Sequence, residues 1–202
     1  TDLHPRNARL LERIRAVEGE HGRLPMPDMA GWDIFPFEGD IRVRLVDDPV
    51  VPEPPRSGEG GGPCFACDDG ATRAIWADDR WMLLPQKQTP FPIVLLEPRA
   101  HLDSTDLDDA MAAEMGLLTV GLERALMGLG GVGRVHVMKI GDGSAHLHLW
   151  FFARPEGLLQ VRGSSVSDWS DALPVMPDDE WLALQREIAA ALAATGGEAL
   201  IS

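Results

Sequence analysis

Apolar residues change period several times along the chain, and each change predicts an element. Leu10, Leu11, Ile14 and Val17 recur at helical spacing with arginines and glutamates between them, which predicts an amphipathic helix near the start. Ile41, Val43 and Leu45 then alternate with Arg42 and Arg44, the pattern of a half-buried strand. Trp32, Phe35 and Phe37 are expected to pack this arm onto the rest of the chain. Ile75–Trp76 and Trp81–Leu84 suggest a strand pair, and residues 92–97 (PIVLLE) a short apolar strand. Residues 104–128 predict a long helix, with Met111, Met115 and several leucines on its core face. Ser104 or Thr105 can cap it, and Asp106, Asp108 and Asp109 suit its positive end. The glycine-rich GLGGVG over 128–133 ends it. Two strands follow, RVHVMKI (134–140) and HLHLWFF (146–152), joined by the turn GDGSA. A last helix spans about 178–195, with Asp178 as cap and Gly196 as stop. The whole reads as α+β.

Composition divides the chain. In PEPPRSGEGGGP, residues 52–63, eight of the twelve positions are Gly or Pro, so neither a helix nor a central strand fits there. We expect a mobile linker over 52–62, an N-terminal extension over 1–51 and the main domain over 63–202. The chain has 202 residues and a net charge of −14, which argues against polymeric nucleic acid and anionic membrane as partners. No apolar run approaches the roughly 20 residues of a membrane span. The opening residues carry neither a basic nor an apolar leader pattern, so the expected setting is cytoplasmic.

Chemistry concentrates in a few residues. Cys64-Phe-Ala-Cys67 is a CxxC knuckle, which serves as a metal clamp, a redox pair or simply two buried thiols near a turn. Two cysteines rule out a disulfide scaffold. His101 follows one predicted strand, and His146 and His148 begin another. On a strand, His146, His148 and Trp150 share one face while Leu147, Leu149 and Phe151 face the core. Gly141, Gly143 and Ser144 in the preceding turn offer backbone N–H groups and a hydroxyl to an anion. Imidazole beside such a turn suits phosphoryl or nucleotidyl transfer through a phosphohistidine-type intermediate. Two histidines bonded to neighbours on an open sheet face would look the same. His136 reads as an ordinary sheet-face residue, Lys139 as solvated, and His4 and His21 carry no evident role. Arg99 and Arg154 are candidates for pairing with phosphate.

The stretch GDGSAHLHLWFFARP resembles the signature of the histidine triad superfamily, in which three histidines alternate with apolar residues after a Gly/Ser turn. PIVLLEPRAHLDSTDLDD is similar to that superfamily's strand, Pro-x-x-His turn and helix entry. The knuckle with His101 and His146 resembles its zinc-bearing branch, related to galactose-1-phosphate uridylyltransferase and the diadenosine polyphosphate hydrolases and phosphorylases. The resemblance covers residues 63–155, and 1–62 match nothing we can name. It implies an antiparallel sheet of about five strands with a long helix and a C-terminal helix, and pairing as a homodimer. It implies a structural Zn2+ on Cys64, Cys67, His101 and His146. It implies a nucleotidyl hydrolase or transferase acting on a nucleotide or nucleotide-like small molecule, with His148 as catalytic nucleophile and Gly143 and Ser144 orienting the phosphate. Three departures stand out. Trp150 occupies the third triad position, where those relatives carry His or Gln. Gln86 falls where the ribose-gripping carboxylate belongs, and the GDGSA turn is short. A non-catalytic binding protein that keeps the fold and the zinc is the alternative these departures suggest.

Overall fold

The computed structural model describes residues 4–19, 23–28, 37–38, 42–43 and 52–201. Helix α1 (Pro5–Ala16) comes first, with His4 as its N-cap, accepting from Arg6 N. Two short strands, β1 (Phe37–Glu38) and β2 (Arg42–Val43), pair antiparallel as a separate ribbon. Trp32, Phe35, Ile41 and Leu45, expected to pack or to form a strand, lie outside the described residues.

Helix α2 (Phe65–Arg73) leads into β3 (Trp76–Ala77), β4 (Trp81–Pro85) and β5 (Ile93–Pro98). Helix α3 (Asp109–Gly128) follows, then β6 (Val132–Lys139) and β7 (Leu149–Pro155). Helices α4 (Val166–Ala172) and α5 (Asp178–Ala193) precede the last strand, β8 (Glu198–Ala199). The six main strands lie in the order β6-β7-β5-β4-β3-β8, every neighbouring pair antiparallel. The architecture is α+β, with one strand more than the five expected. The extra strand is two residues long, too short to show a periodicity. It forms because Gly197, at φ +72, turns the chain after α5 back along β3, against the Trp76 ring.

One sheet face buries Leu83, Val94, Leu96, Leu147 and Phe151 beneath α3 and α5, which contribute Leu122, Leu126, Ile188 and Leu192. The opposite face is covered in two patches. Helix α2 packs on β4, where Gly70 leaves room for the Met82 side chain. Phe91, Ile93 and Phe152 lie under the segment around Val161, Val166 and Leu173. Trp150 lies at the edge of this second patch.

Helix α1 is tied to the turn after α3 and to the end of β7 by polar contacts. Asn7 is 2% exposed and donates from Nδ2 to the carbonyls of Gly131 and Glu156, both at 2.8 Å. Arg6 donates to Gly130 O and Leu129 O, Arg13 pairs with Glu180, and Leu10 is buried. The α3 cap differs from expectation. Asp108, not Ser104 or Thr105, caps the helix by accepting from Met111 N, and a short 3-10 turn over Ser104–Asp106 precedes it. Pro177 rather than Asp178 sits at the α5 N-cap, with the acidic run Asp178, Asp179 and Glu180 in its first turn.

Candidate functional site

The CxxC knuckle lies at the start of α2. Cys64 is the residue before the first helical one, and Cys67 is in the first turn. A helix start brings residues three apart onto one side, so both sulfurs face the same way. His101 sits in the turn after β5, and His146 follows the glycine turn. The four ligand atoms lie within 4.8 Å of one another, a set able to hold a metal ion. Both cysteines are free thiols. His146 Nδ1 lies 3.5 Å from each sulfur, and His101 Nδ1 lies 3.5 Å from Cys67 Sγ. The two imidazoles meet edge to face at 5.4 Å.

The His146 ring is oriented from behind. Its Nε2–H donates to Pro98 O at 2.8 Å, which leaves the Nδ1 lone pair aimed at the sulfurs. Burial lowers its pKa, holding it in the neutral form a ligand needs. Although Cys67 is exposed as a residue, partial desolvation of its sulfur, with the neighbouring Cys64, pushes the thiol up to about 11. Without a metal that sulfur is therefore a protonated thiol near neutral pH.

The strand after the glycine turn begins at Leu149, not at His146 as expected. Residues 146–148 cannot join the ladder because His146 reaches back to the knuckle while Leu147 N donates to Leu102 O. Leu147 and Phe151 still enter the core and His148 lies half-buried. His148 Nδ1 lies 2.8 Å from the His146 carbonyl. A carbonyl only accepts, so Nδ1 carries a proton, and in the neutral ring the lone pair is then on Nε2.

Trp150 borders His148 with ring centroids 6.3 Å apart and planes at 78°. It stacks on Phe152 at 5.8 Å, and its indole N–H is buried without a partner among the described residues. A cleft of about 480 Å3 opens beside it, lined by Gln86, Ile93, Ile140, Trp150, Phe152 and Asp171. Gln86 therefore shares a cleft with Trp150. Its backbone carbonyl accepts from Trp181 Nε1.

The turn residues are engaged locally. Ser144 Oγ accepts from His146 N at 3.1 Å and donates to Ser57 O at 3.5 Å. Gly143 is exposed, and its carbonyl accepts from Ser57 N. Arg154 is not brought to His148. It lies six residues further along the chain, about 20 Å at the usual strand rise. Its guanidinium packs on Gly133 and donates to Pro155 O. Arg99 donates to Asp78 O, and Lys139 pairs with Asp103 at 3.4 Å. His136 pairs in register with Phe152, its Nε2 buried without a partner among the described residues.

Arg56 and Asp103 were not anticipated. Arg56 donates to Asp103 Oδ2 at 2.9 Å and to the carbonyls of Gly141 and Ser144. Burial alone would raise the Asp103 carboxyl. Hydrogen bonds from Ser104 N and Arg56, with the Lys139 charge, outweigh it and bring the group down to about 2. The segment expected as a mobile linker is thus anchored over 56–58. Its glycines signalled a turn, but no local pattern showed what the turn would pack against.

Comparison with known proteins gives likeness in structure only. No family model and no curated protein matches the chain. Its fold is similar to those of solved histidine triad proteins. One, from Bradyrhizobium japonicum, is 22% identical over 63% of this chain and 93% of that one, with a TM-score of 0.49. A Zn-bound histidine triad family protein from Mycobacterium smegmatis is 23% identical over 63% and 89%, at 0.44. A third, from Marinobacter aquaeolei VT8, is 20% identical over 61% and 92%, at 0.48. No described helix is long and apolar enough to cross a membrane.

Proposed function

We propose that the protein is a histidine triad-type nucleotidyl hydrolase or transferase with His148 as nucleophile and a structural zinc on Cys64, Cys67, His101 and His146. One observation carries the reading: the His148 Nδ1–H is held by the His146 carbonyl at 2.8 Å, which leaves Nε2 as the free base. Gly143 would orient the phosphate from the turn, and Gln86 and Trp150 would line the substrate cleft.

The four-residue cluster fits zinc by chemistry and by dimension. Two thiols and two imidazoles are the donors zinc prefers. With Zn–S at about 2.3 Å and Zn–N at about 2.0–2.1 Å, a tetrahedron has an S-to-N edge of about 3.6 Å. Three of the four sulfur–nitrogen separations are 3.5 Å, and all four ligand atoms lie within 4.8 Å of one another. A closed set of four protein ligands leaves no open position, so the ion would supply rigidity rather than an activated water.

In the reaction, His148 Nε2 forms a bond to the α-phosphorus of a nucleotide. The bond from phosphorus to the leaving oxygen breaks, and its electron pair departs with that oxygen. The ring then carries positive charge, which the carbonyl facing Nδ1–H partly offsets. Water or another acceptor next attacks phosphorus, loses its proton to solvent, and the P–N bond breaks to restore the imidazole.

The test is intact mass spectrometry after brief incubation with dinucleoside polyphosphates, nucleotide sugars and nucleoside phosphoramidates, without acid. A nucleotidyl adduct and turnover are expected from the protein and neither from His148→Ala. Absence of both from the unmodified protein overturns the assignment. A second reading, a non-catalytic binder, is favoured by Trp150 and by Gln86 in place of a carboxylate. It predicts calorimetric binding of nucleotide with no turnover. Strand β6 is a sheet edge, and Leu117, Val120 and Val137 are exposed on α3 and β6, which supports a homodimer through that surface. Light scattering on Leu117→Glu tests it. The acidic net charge, −14, supports action on small nucleotides rather than on nucleic-acid polymers or anionic membranes.

A further inference from the structure

The segment before the knuckle contacts both halves of the site. Gly58 has φ +81, and a Cβ there would lie 2.4 Å from His101 Cε1 and 3.1 Å from Cys64 Cβ. The peptide therefore rests on two ligand side chains at a distance only glycine allows. Its N–H donates to Pro63 O at 2.7 Å, closing a loop that returns the chain to Cys64. One residue earlier, Ser57 pairs with Ser144 as a parallel bridge. Ser57 N donates to Gly143 O at 3.1 Å, and Ala145 N donates to Ser57 O at 2.9 Å. One residue before that, Arg56 donates to Asp103 and to the carbonyls of Gly141 and Ser144. Three successive residues thus span from the ligands His101 and Cys64 to the turn that delivers His146.

The cluster has a protected side and an open one. Cys64 and His146 are buried, whereas Cys67 and His101 are exposed. Loss of a metal begins at the ligand that solvent or a competing chelator reaches most easily, and here Gly58 sits against the His101 ring edge.

We infer that Arg56, Ser57 and Gly58 form a strap that holds the His101 imidazole toward the metal and slows metal loss. This rests on the reading that the four-residue cluster binds zinc. The strap residues are positioning residues, since they touch ligands and turn rather than the ion.

The experiment measures zinc transfer from the full-length, zinc-loaded protein to a chromogenic chelator. Gly61 has φ +83 and nothing within 4 Å of an added Cβ, so Gly61→Ala reproduces the backbone strain of Gly58→Ala without the contact. Gly58→Ala is expected to release zinc about tenfold faster than the unmodified protein, and Gly61→Ala within about twofold of it. Cobalt substituted for zinc should show an altered visible spectrum in Gly58→Ala and an unchanged one in Gly61→Ala. Equal release from the two variants overturns the strap while leaving the metal site standing. Failure of the unmodified protein to retain zinc overturns the metal reading itself. Should Gly58→Ala not fold, Arg56→Gln decides, because it loosens the strap with no backbone strain. Release no faster than from the unmodified protein then refutes the inference.

Discussion

Glu97→Gln should stabilise the protein, and increasingly so as pH rises. Glu97 lies on β5 opposite Met82, only 6% exposed, and its Oε2 has no hydrogen-bond partner among the described residues. Burial pushes its carboxyl from 4.5 up to about 7, although the Arg73 charge pulls the other way. In the unfolded chain the group ionises near 4.5, and in the folded chain near 7. Between those values the unfolded state holds fewer protons, so stability falls as pH rises. Below about pH 4 the penalty is absent, and above about pH 7 it is complete. Each pKa unit is worth about 1.4 kcal/mol, so the full penalty is about 3 kcal/mol. Glutamine keeps the shape and never ionises. Urea unfolding of both proteins, zinc-saturated, should give nearly equal stabilities at pH 4.5 and a glutamine advantage approaching about 3 kcal/mol by pH 8. Two thiolates would balance a divalent ion, so the nearby site adds no net charge to change the sign. A pH-independent difference, or a loss of stability in the variant at pH 8, would show that the carboxylate is partnered and refute the reasoning.

Leu10→Ala should cost about 2–4 kcal/mol by thermal or urea unfolding, since α1 docks through that buried side chain; an unchanged midpoint would mean that α1 is not part of the cooperative unit. Removing metal with a chelator should lower the melting temperature by several degrees, and adding zinc back to unbuffered apoprotein at pH 7 should acidify the solution as thiols ionise. No proton release would exclude Cys67 as a ligand. Trp150→Gln should raise turnover about tenfold if the indole narrows the phosphate site, with a steady-state assay on the best substrate as the measure; unchanged turnover would place the ring outside the reaction path.

How much of this was legible depended on the length of the pattern. The long helix over Asp109–Gly128 was readable because many residues repeat one period, and the strand Ile93–Pro98 because it is an unbroken apolar run, buried on both faces. Helices α2 and α4 went unpredicted because each spans fewer than ten residues, too short for a helical stripe to emerge. The start of β7 was misplaced for a different reason. Alternation in HLHLWFF is real, but the reach of His146 to Cys64 and Cys67 overrides it until Leu149. Cys64, Cys67, His101, His146 and His148 stood out by type, since Cys and His are rare here and chemically specific, but grouping four of them as ligands came from the resemblance and not from any local pattern. Arg56 and Gly58 were invisible because their partners lie 47 and 43 positions away along the chain, and a glycine-rich segment looks the same whether it is free or seated.

The position of His146 explains how a metal without an open coordination site could matter to catalysis. Its ring faces Cys64 and Cys67, while its main-chain carbonyl accepts from His148 Nδ1. One residue would therefore join a bound metal to the proposed nucleophile, and its ring is braced by Pro98 O on the far side. A shift of the ligand cluster would move the carbonyl that fixes the His148 tautomer and the direction of Nε2. Misaiming a reacting atom by about 1 Å can cost on the order of a hundredfold in rate. The metal would act on the reaction through geometry, and the anchored 56–58 segment would reach His148 by the same route, since it bears on His101 and on the turn that leads into His146.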